Sequence, residues 1–374
     1  MTNAPVSLPH RRYYEFDLLR SISLLLMVTL HVLQSFHYYM EPAVVQKLHW
    51  LYYTYPIIGP SALMISMGTN LAFARSQTPG VLAKRGLIFI LLDLGLNTAR
   101  YVLPGLVYAA AGWNGYLSYA VSALLRSEIY AFVGAFFLLF ALFKRWKLSS
   151  FAILNIAILM MGFNALVEHY QWFAVENTYL SDLLSRLFWV GTNSYFPLFS
   201  WAIFPAIGYF FGECFHRLAT ADQHKLARRT LAICSALIIA LLTFLANMDR
   251  SFSIAVLPLN DFKTEPFGAV LMILLTGVVW SLLHLFVNRF PNAPVMKPLL
   301  SLSKRIVSFY LIQWVLIIWL YNLLPAVLEA LHKTYAFHST LSVVLLILLI
   351  ILLTNTLSRL ISKRKPAVRA KAQA

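Results

Sequence analysis

Long apolar stretches separated by short polar segments run along the whole chain. Ten of them are close to the roughly 20 residues that an α-helix needs to cross a bilayer. We therefore predict an all-α fold, a polytopic membrane helix bundle with about ten transmembrane helices. A single integral-membrane domain is expected over 1–374, with an N-terminal segment 1–16 and a basic disordered tail 362–374. The predicted spans are approximately 18–38, 51–74, 86–110, 124–143, 149–167, 195–214, 230–247, 267–287, 305–324 and 339–360.

Composition and charge support this class and suggest an orientation. The chain is 60% hydrophobic and 12% charged, with a mean hydropathy of +0.72, and no soluble domain buries that much apolar surface. If the N-terminus is cytoplasmic, most of the 30 Lys and Arg residues fall on the inner side of the predicted spans, which places both termini in the cytoplasm. The net charge of +16 is thus a topology signal, and we expect no nucleic-acid partner. The absence of an N-x-[ST] sequon fits a bacterial inner membrane.

The first span carries two polar residues where a membrane helix is expected to be apolar. Arg20 and His31 are eleven positions apart, which returns a helix to within roughly 20° of its starting direction and about 16 Å further along its axis. Polar groups at such positions are functional candidates by default. Arg20 is suited to hold phosphates, and His31 to take a proton from an attacking hydroxyl or amine, or to carry an acyl group. The alternative is an arginine paired with Asp17 and a histidine satisfied in the core.

The third span contains a second polar stripe. Asp93, Asn97 and Arg100 follow one another at i, i+4 and i+7, which places them on one side of a helix. Such a stripe has to face protein or water rather than lipid. It predicts a substrate-binding surface or, as the alternative, an internal Asp–Arg network that locks the bundle.

Three further polar residues are candidates for the same site. Lys84 and Arg85 open the third span; they serve the membrane topology or complete an anion site together with Arg20. Gln313, in the otherwise apolar ninth span, either bonds a reacting carbonyl or links two helices. No spacing typical of metal ligands occurs, so we expect no metal.

Small residues in the sixth span predict a close helix contact. Gly208-x-x-x-Gly212 lets a neighbouring helix approach closely. This neighbour is either another helix of the same chain or a second copy, which would make the protein a homodimer. Membrane lipid is a further expected partner.

Five stretches, taken in order, resemble the membrane acyltransferase-3 superfamily and, more closely, bacterial proteins related to the catalytic domain of heparan-α-glucosaminide N-acetyltransferase. The resemblance runs over most of the chain and depends on the order and spacing of short motifs. They are Phe16–Arg20 with Met27 and His31; Gly59-Pro60 through Met67-Gly68 to Leu71–Arg75; Lys84–Leu87 with Asp93 and Arg100; Phe196–Trp201 with Gly208-Tyr209 and Gly212; and Phe309–Trp314.

The resemblance implies an enzyme that moves an acyl group, usually acetyl, from cytoplasmic acyl-CoA (acetyl-CoA) to a sugar across the membrane. His31 would be catalytic and Arg20 essential. The donor phosphates would then bind at Arg20, Lys84 and Arg85. The glycan or glycolipid acceptor would pass the remaining polar residues of the spans, Asp93, Asn97, Arg100 and Gln313.

The chain departs from the family pattern at three positions. Ser21 replaces a glycine after the arginine, Leu30 replaces an aspartate before the histidine, and Gln313 replaces a histidine found in many relatives. These departures leave open a catalytically inactive scaffold with the same fold. Another class of function also remains open, a proton-coupled secondary transporter or lipid permease in which the intramembrane Arg, Asp and His couple the substrate to protons.

Overall fold

The computed structural model describes residues 12–54, 59–74, 77–110, 112, 115–170, 172, 178–188, 194–248 and 266–371, and these residues are almost entirely helical. No strand occurs among them beyond two isolated bridges. The helices are α1 Tyr14–Phe36, α2 Pro42–Thr54, α3 Gly59–Ala72, α4 Pro79–Asn97, α5 Leu103–Ala110, α6 Gly115–Ala123, α7 Ile129–Arg145, α8 Ser150–Tyr170, α9 Thr178–Ser185, α10 Leu198–Trp201, α11 Ile203–His216, α12 Thr220–Met248, α13 Pro266–Arg289, α14 Met296–Ser303, α15 Ile306–Ala330 and α16 Thr340–Lys371.

Eight helical segments of the described chain are long and apolar enough to cross a membrane. The predicted spans 51–74 and 124–143 correspond to α3 and α7, which have only 14 and 17 residues. The all-helical membrane architecture is therefore confirmed with eight candidate spans, whereas ten crossings and cytoplasmic termini stay predictions. The candidate spans are 14–39, 79–110, 150–170, 198–216, 220–244, 266–289, 306–329 and 340–362.

Helix α1 is the central element of the bundle. The apolar window of this span is 72% buried, compared with 6% for the span that begins at Thr220. It packs against α3, α13, α14 and α15. Polar groups on such a helix meet protein rather than lipid, as an intramembrane Arg and His require.

Helices α3 and α11 approach each other unusually closely through two glycines. A Cβ atom added to Gly68 would lie 2.0 Å from the carbonyl oxygen of Pro205, and one added to Gly208 would lie 2.0 Å from that of Ile65. Gly212 likewise faces Thr69 and Ala72 of α3. The predicted small-residue contact of α11 is therefore made within the chain.

Two helices differ from their predicted course. Between α4 and α5 the residues Thr98–Val102 form a π-helical segment, which keeps 79–110 one continuous span. At the other terminus α16 extends to Lys371, through most of the tail that we expected to be disordered. That segment is rich in Ala, Lys and Arg, which are strong helix formers, and the helix continues beyond its apolar part although Pro366 removes one backbone hydrogen bond from it.

Candidate functional site

A cavity of about 250 Å³ lies between α1, α3, α4, α7 and α15, at the end of the bundle where α1 and α4 begin. We call this end the basic end, because Arg12, Arg20 and Arg85 lie there. The wall of this basic-end cavity is mostly apolar, and among the described residues its charged side chains are Arg20 and Arg85. Arg85 is exposed to solvent, whereas Arg20 is largely enclosed. An elongated apolar group with an anionic end matches these walls.

Asp17 holds Arg20 in place from one turn earlier on α1. Its carboxylate accepts hydrogen bonds from Arg20, from Arg12 at 2.6 Å and from the Ser303 hydroxyl at 2.8 Å. The Nε of Arg20 is buried and has no hydrogen-bond partner among the described residues. The pairing with Asp17 thus orients the guanidinium and leaves one buried donor available.

His31 lies deeper in the bundle, buried against α15. Its Nδ1 is 3.0 Å from the side-chain nitrogen of Gln313. Its ring packs on the Trp314 indole, with centroids 4.0 Å apart and planes 30° apart, and meets the edge of Tyr310 at 6.3 Å. These contacts fix the imidazole orientation.

The amide orientation of Gln313 sets the tautomer of His31. A half-turn of the amide exchanges its oxygen and nitrogen, and the other amide atom, Oε1, has no partner among the described residues. If the amide is turned so that Oε1 accepts the Nδ1 proton, the lone pair of the neutral ring lies on Nε2. This tautomer is the one that a general base requires.

Residues of α15 lie near both Arg20 and His31. Val307 and Tyr310 of this helix line the basic-end cavity together with Arg20, while Gln313 and Trp314 contact His31 one turn further on. His31 thus packs directly on α15, whereas Arg20 lines a cavity to which α15 contributes, and Tyr310 both lines that cavity and contacts the imidazole ring.

A second cavity, of about 490 Å³, opens at the other end of the same helix. Ile318, Tyr321 and Asn322 of α15 contribute to its wall, and so do Arg100 and Tyr101. We call it the opposite cavity. His31 and Trp314 occupy the level of the bundle between the two cavities.

Arg100 forms the charged part of the opposite cavity and is completely buried. Its Nη2 donates to the Glu128 carboxylate at 2.6 Å and to the Asn97 side-chain oxygen at 3.0 Å. The guanidinium also lies 4.8 Å from the Trp314 ring, on which His31 packs. The Trp314 indole therefore contacts both the Arg100 guanidinium and the His31 imidazole.

The other members of the predicted polar stripe lie beside the start of α7. Asn97 donates to the backbone carbonyls of Leu124 and Arg126, and so holds the turn that presents Glu128. Asp93 is buried next to the backbone of Glu128. Neither Asp93 nor Asn97 lines either cavity, and Lys84 is exposed and absent from both walls.

Sequence reasoning missed Glu128 and Trp314. Glu128 comes directly before an apolar helix and looks like an ordinary interfacial carboxylate, so only its long-range pairing with Arg100 reveals its place. Trp314 belongs to one stripe of α15 with Tyr310 and Tyr321, at helical spacing. The aromatic stripe could have identified the face of α15 that contacts His31.

A comparison with protein families gives one match, to the model described as heparan-alpha-glucosaminide N-acetyltransferase, catalytic, over residues 12–241. The match covers more than half of the chain and includes Arg20, His31, Arg100 and Glu128, while Gln313 lies beyond it. No curated protein and no solved structure matches the chain significantly. The chain therefore belongs to the heparan-α-glucosaminide N-acetyltransferase catalytic-domain family, a family of membrane acetyltransferases.

Proposed function

We propose that this protein transfers an acyl group, acetyl in the first instance, from acyl-CoA to a hydroxyl or amino group of a sugar. The donor enters from the basic end, which we assign to the cytoplasm, and the acceptor enters from the opposite cavity. The observation that carries the proposal is the position of His31 between two cavities of different chemistry, both lined by α15.

The basic-end cavity suits the arm of the donor. Its volume of about 250 Å³ accommodates an acyl-thioester arm and not the nucleotide, so the phosphates remain at its mouth. There the exposed Arg85 and the enclosed Arg20 supply positive charge. Guanidinium groups bind phosphate by charge-assisted hydrogen bonds. The thioester then points along α15 towards Tyr310 and His31.

In the direct mechanism His31 acts as the general base. The acceptor oxygen or nitrogen attacks the thioester carbonyl carbon while Nε2 takes its proton. The C–S bond then breaks, the acyl group stays on the acceptor, and the CoA thiolate receives the proton from the imidazolium. The alternative retained from the sequence, an acyl-histidine intermediate, uses the same Nε2 as the nucleophile.

The test is thiol release by detergent-purified protein supplied with acetyl-CoA and glucosamine, which offers both an amine and hydroxyls. We expect His31→Ala to abolish release, with thermal unfolding close to that of the parent protein. His338→Ala is the matched control, because His338 is exposed, pairs with Glu41 and lines neither cavity. A parental rate in the His31 variant would refute the proposal.

Mass spectrometry of the first span distinguishes the two routes. An acetyl adduct on the peptide that contains His31, formed with donor alone, indicates the acyl-histidine route. Donor consumption only in the presence of acceptor, without an adduct, indicates direct transfer.

A further inference from the structure

Four aromatic side chains form a row along the wall of the basic-end cavity. Phe137 stacks on Phe89 with ring centroids 5.7 Å apart, and Phe89 lies 5.6 Å from Tyr130. Tyr130 in turn lies 4.8 Å from Tyr310, whose ring is 6.3 Å from that of His31. The row therefore runs along the cavity towards the imidazole, with each ring next to the following one.

The course of α7 shows which end of the row is deep in the bundle. The helix begins directly after Glu128, at the level of the opposite cavity. Further along, Gly134 packs against Gly86, near the start of α4 at the basic end. Tyr130 therefore lies at the deep end of the cavity, and Phe137 lies about 10 Å closer to its mouth along the helix axis.

Tyr130 and Tyr310 together form the wall at the deep end. Their ring planes cross at 64°, so the edge of one ring meets the face of the other. The Tyr130 hydroxyl donates to the backbone carbonyl of Val307 at 2.9 Å, which ties its ring to α15. Both tyrosines are almost completely buried. A group that reaches this end meets two rings that are held in place.

The following inference rests on the proposed function, in which the donor phosphates stay at the mouth and the thioester points inward. The acyl group is then the part of the donor that reaches the two tyrosines. We propose that Tyr130 is a specificity-determining residue that limits the donor to short acyl groups. Each carbon beyond acetyl has to displace a packed ring, which is unfavourable, whereas a smaller side chain at this position would let the longer chain be buried.

The test is the ratio of kcat/KM for butyryl-CoA to that for acetyl-CoA, measured as thiol release with glucosamine as the acceptor. The ratio should be about 0.1 or less in the parent protein, because two added CH2 groups overpack the wall. Tyr130→Ala should raise the ratio at least about tenfold, since each newly buried CH2 group contributes about fourfold. Tyr130→Leu keeps more of the apolar packing and should raise the ratio by a smaller factor, which covers the case that the Ala variant fails to fold.

Two control variants separate the ring of Tyr130 from other changes. Tyr130→Phe removes the bond to Val307 but keeps the ring, so the ratio should stay parental. Phe137→Ala enlarges the same cavity nearer its mouth, so it should change kcat/KM for both donors by the same factor. An unchanged ratio in both the Ala and Leu variants of Tyr130, an equal rise in Phe137→Ala, or a parent protein that uses both donors equally would overturn the inference.

Binding of unreactive donor analogues distinguishes this inference from the transferase itself. S-ethyl-CoA and S-butyl-CoA are thioethers that transfer no acyl group, so calorimetry measures only how they fit. The parent protein should bind S-ethyl-CoA more tightly, and Tyr130→Ala should bind S-butyl-CoA more tightly. This result without thiol release from acetyl-CoA would support the inference and count against the proposed function. Thiol release with no effect of Tyr130 on either preference would do the reverse, and a parent protein that binds neither thioether would count against both.

Discussion

His31 and Gln313 form a hydrogen bond of 3.0 Å that joins α1 to α15 across 282 positions of the sequence. The bond connects the candidate base of the first span to the helix that lines both cavities. The amide can orient the imidazole without itself titrating.

Gln313→Leu should lower kcat with little change in KM for acetyl-CoA. The substitution leaves a buried imidazole nitrogen without its orienting partner, a loss of about 1–3 kcal/mol, or about ten- to a hundredfold in rate. Steady-state kinetics checks this, with Gln313→Glu as the conservative control that keeps an acceptor oxygen. A purely structural role would instead lower the unfolding temperature without the kcat effect.

Arg85 and Lys84 form a matched pair for the donor site. Both are exposed cations at the start of α4, yet only Arg85 lines the basic-end cavity. Arg85→Ala should raise KM for acetyl-CoA by about tenfold, the effect of one charge-assisted bond to phosphate, and Lys84→Ala should leave it unchanged. Equal effects of the two variants would mean that general positive charge, and not the cavity, attracts the donor.

Trp314 occupies the level between the two cavities, with His31 packed on one ring face. Trp314→Leu should let water reach the thioester and so raise hydrolysis of acetyl-CoA without acceptor relative to transfer. Trp314→Phe keeps an aromatic barrier and should hydrolyse less acetyl-CoA than the Leu variant. The ratio of hydrolysis to transfer is the measured quantity, and an unchanged ratio in the Leu variant would contradict the barrier role.

Gly208→Ala should destabilise the protein. The added Cβ would lie 2.0 Å from the Ile65 carbonyl oxygen, so α3 and α11 have to separate at a cost of about 1–3 kcal/mol or more. Gly95→Ala is the control, because a Cβ built there meets no atom of another helix within 4 Å in the described part of the chain. Thermal unfolding in detergent should show a lower midpoint only for the Gly208 variant; an unchanged midpoint would show that the helices adjust freely.

The sequence predicted relationships within one helix better than relationships between helices. Helical periodicity alone predicts that Arg20 and His31 share one face of α1; in the structure His31 packs on α15 and Arg20 lines a cavity to which α15 contributes. The same reasoning placed Asp93, Asn97 and Arg100 in one stripe, but the ion pair of Arg100 is with Glu128, on the turn before another helix. Which helices become neighbours depends on the packing of the whole chain. A local sequence pattern does not contain that information.

The two alternatives weighed for Arg20 proved compatible. The guanidinium does pair with Asp17, as a snorkelling arginine would, and it also lines a cavity. The ion pair between Arg20 and Asp17, one helical turn apart, can be predicted from the sequence because it depends only on helix geometry. The cavity requires five helices at once, so only the assembled bundle shows that the paired arginine still faces open space.

The π turn at Thr98–Val102 gives the third span one residue more than a regular α-helix of the same rise. Removing a single residue there would restore a regular α-helix while the helical segments on either side keep their places, so that only the side chains of the turn itself change direction. Arg100 and Tyr101, which belong to the turn, would then be presented differently to the opposite cavity. An insertion or deletion of one amino acid in this turn is thus a short evolutionary route to a different acceptor, with the helix that carries His31 left untouched.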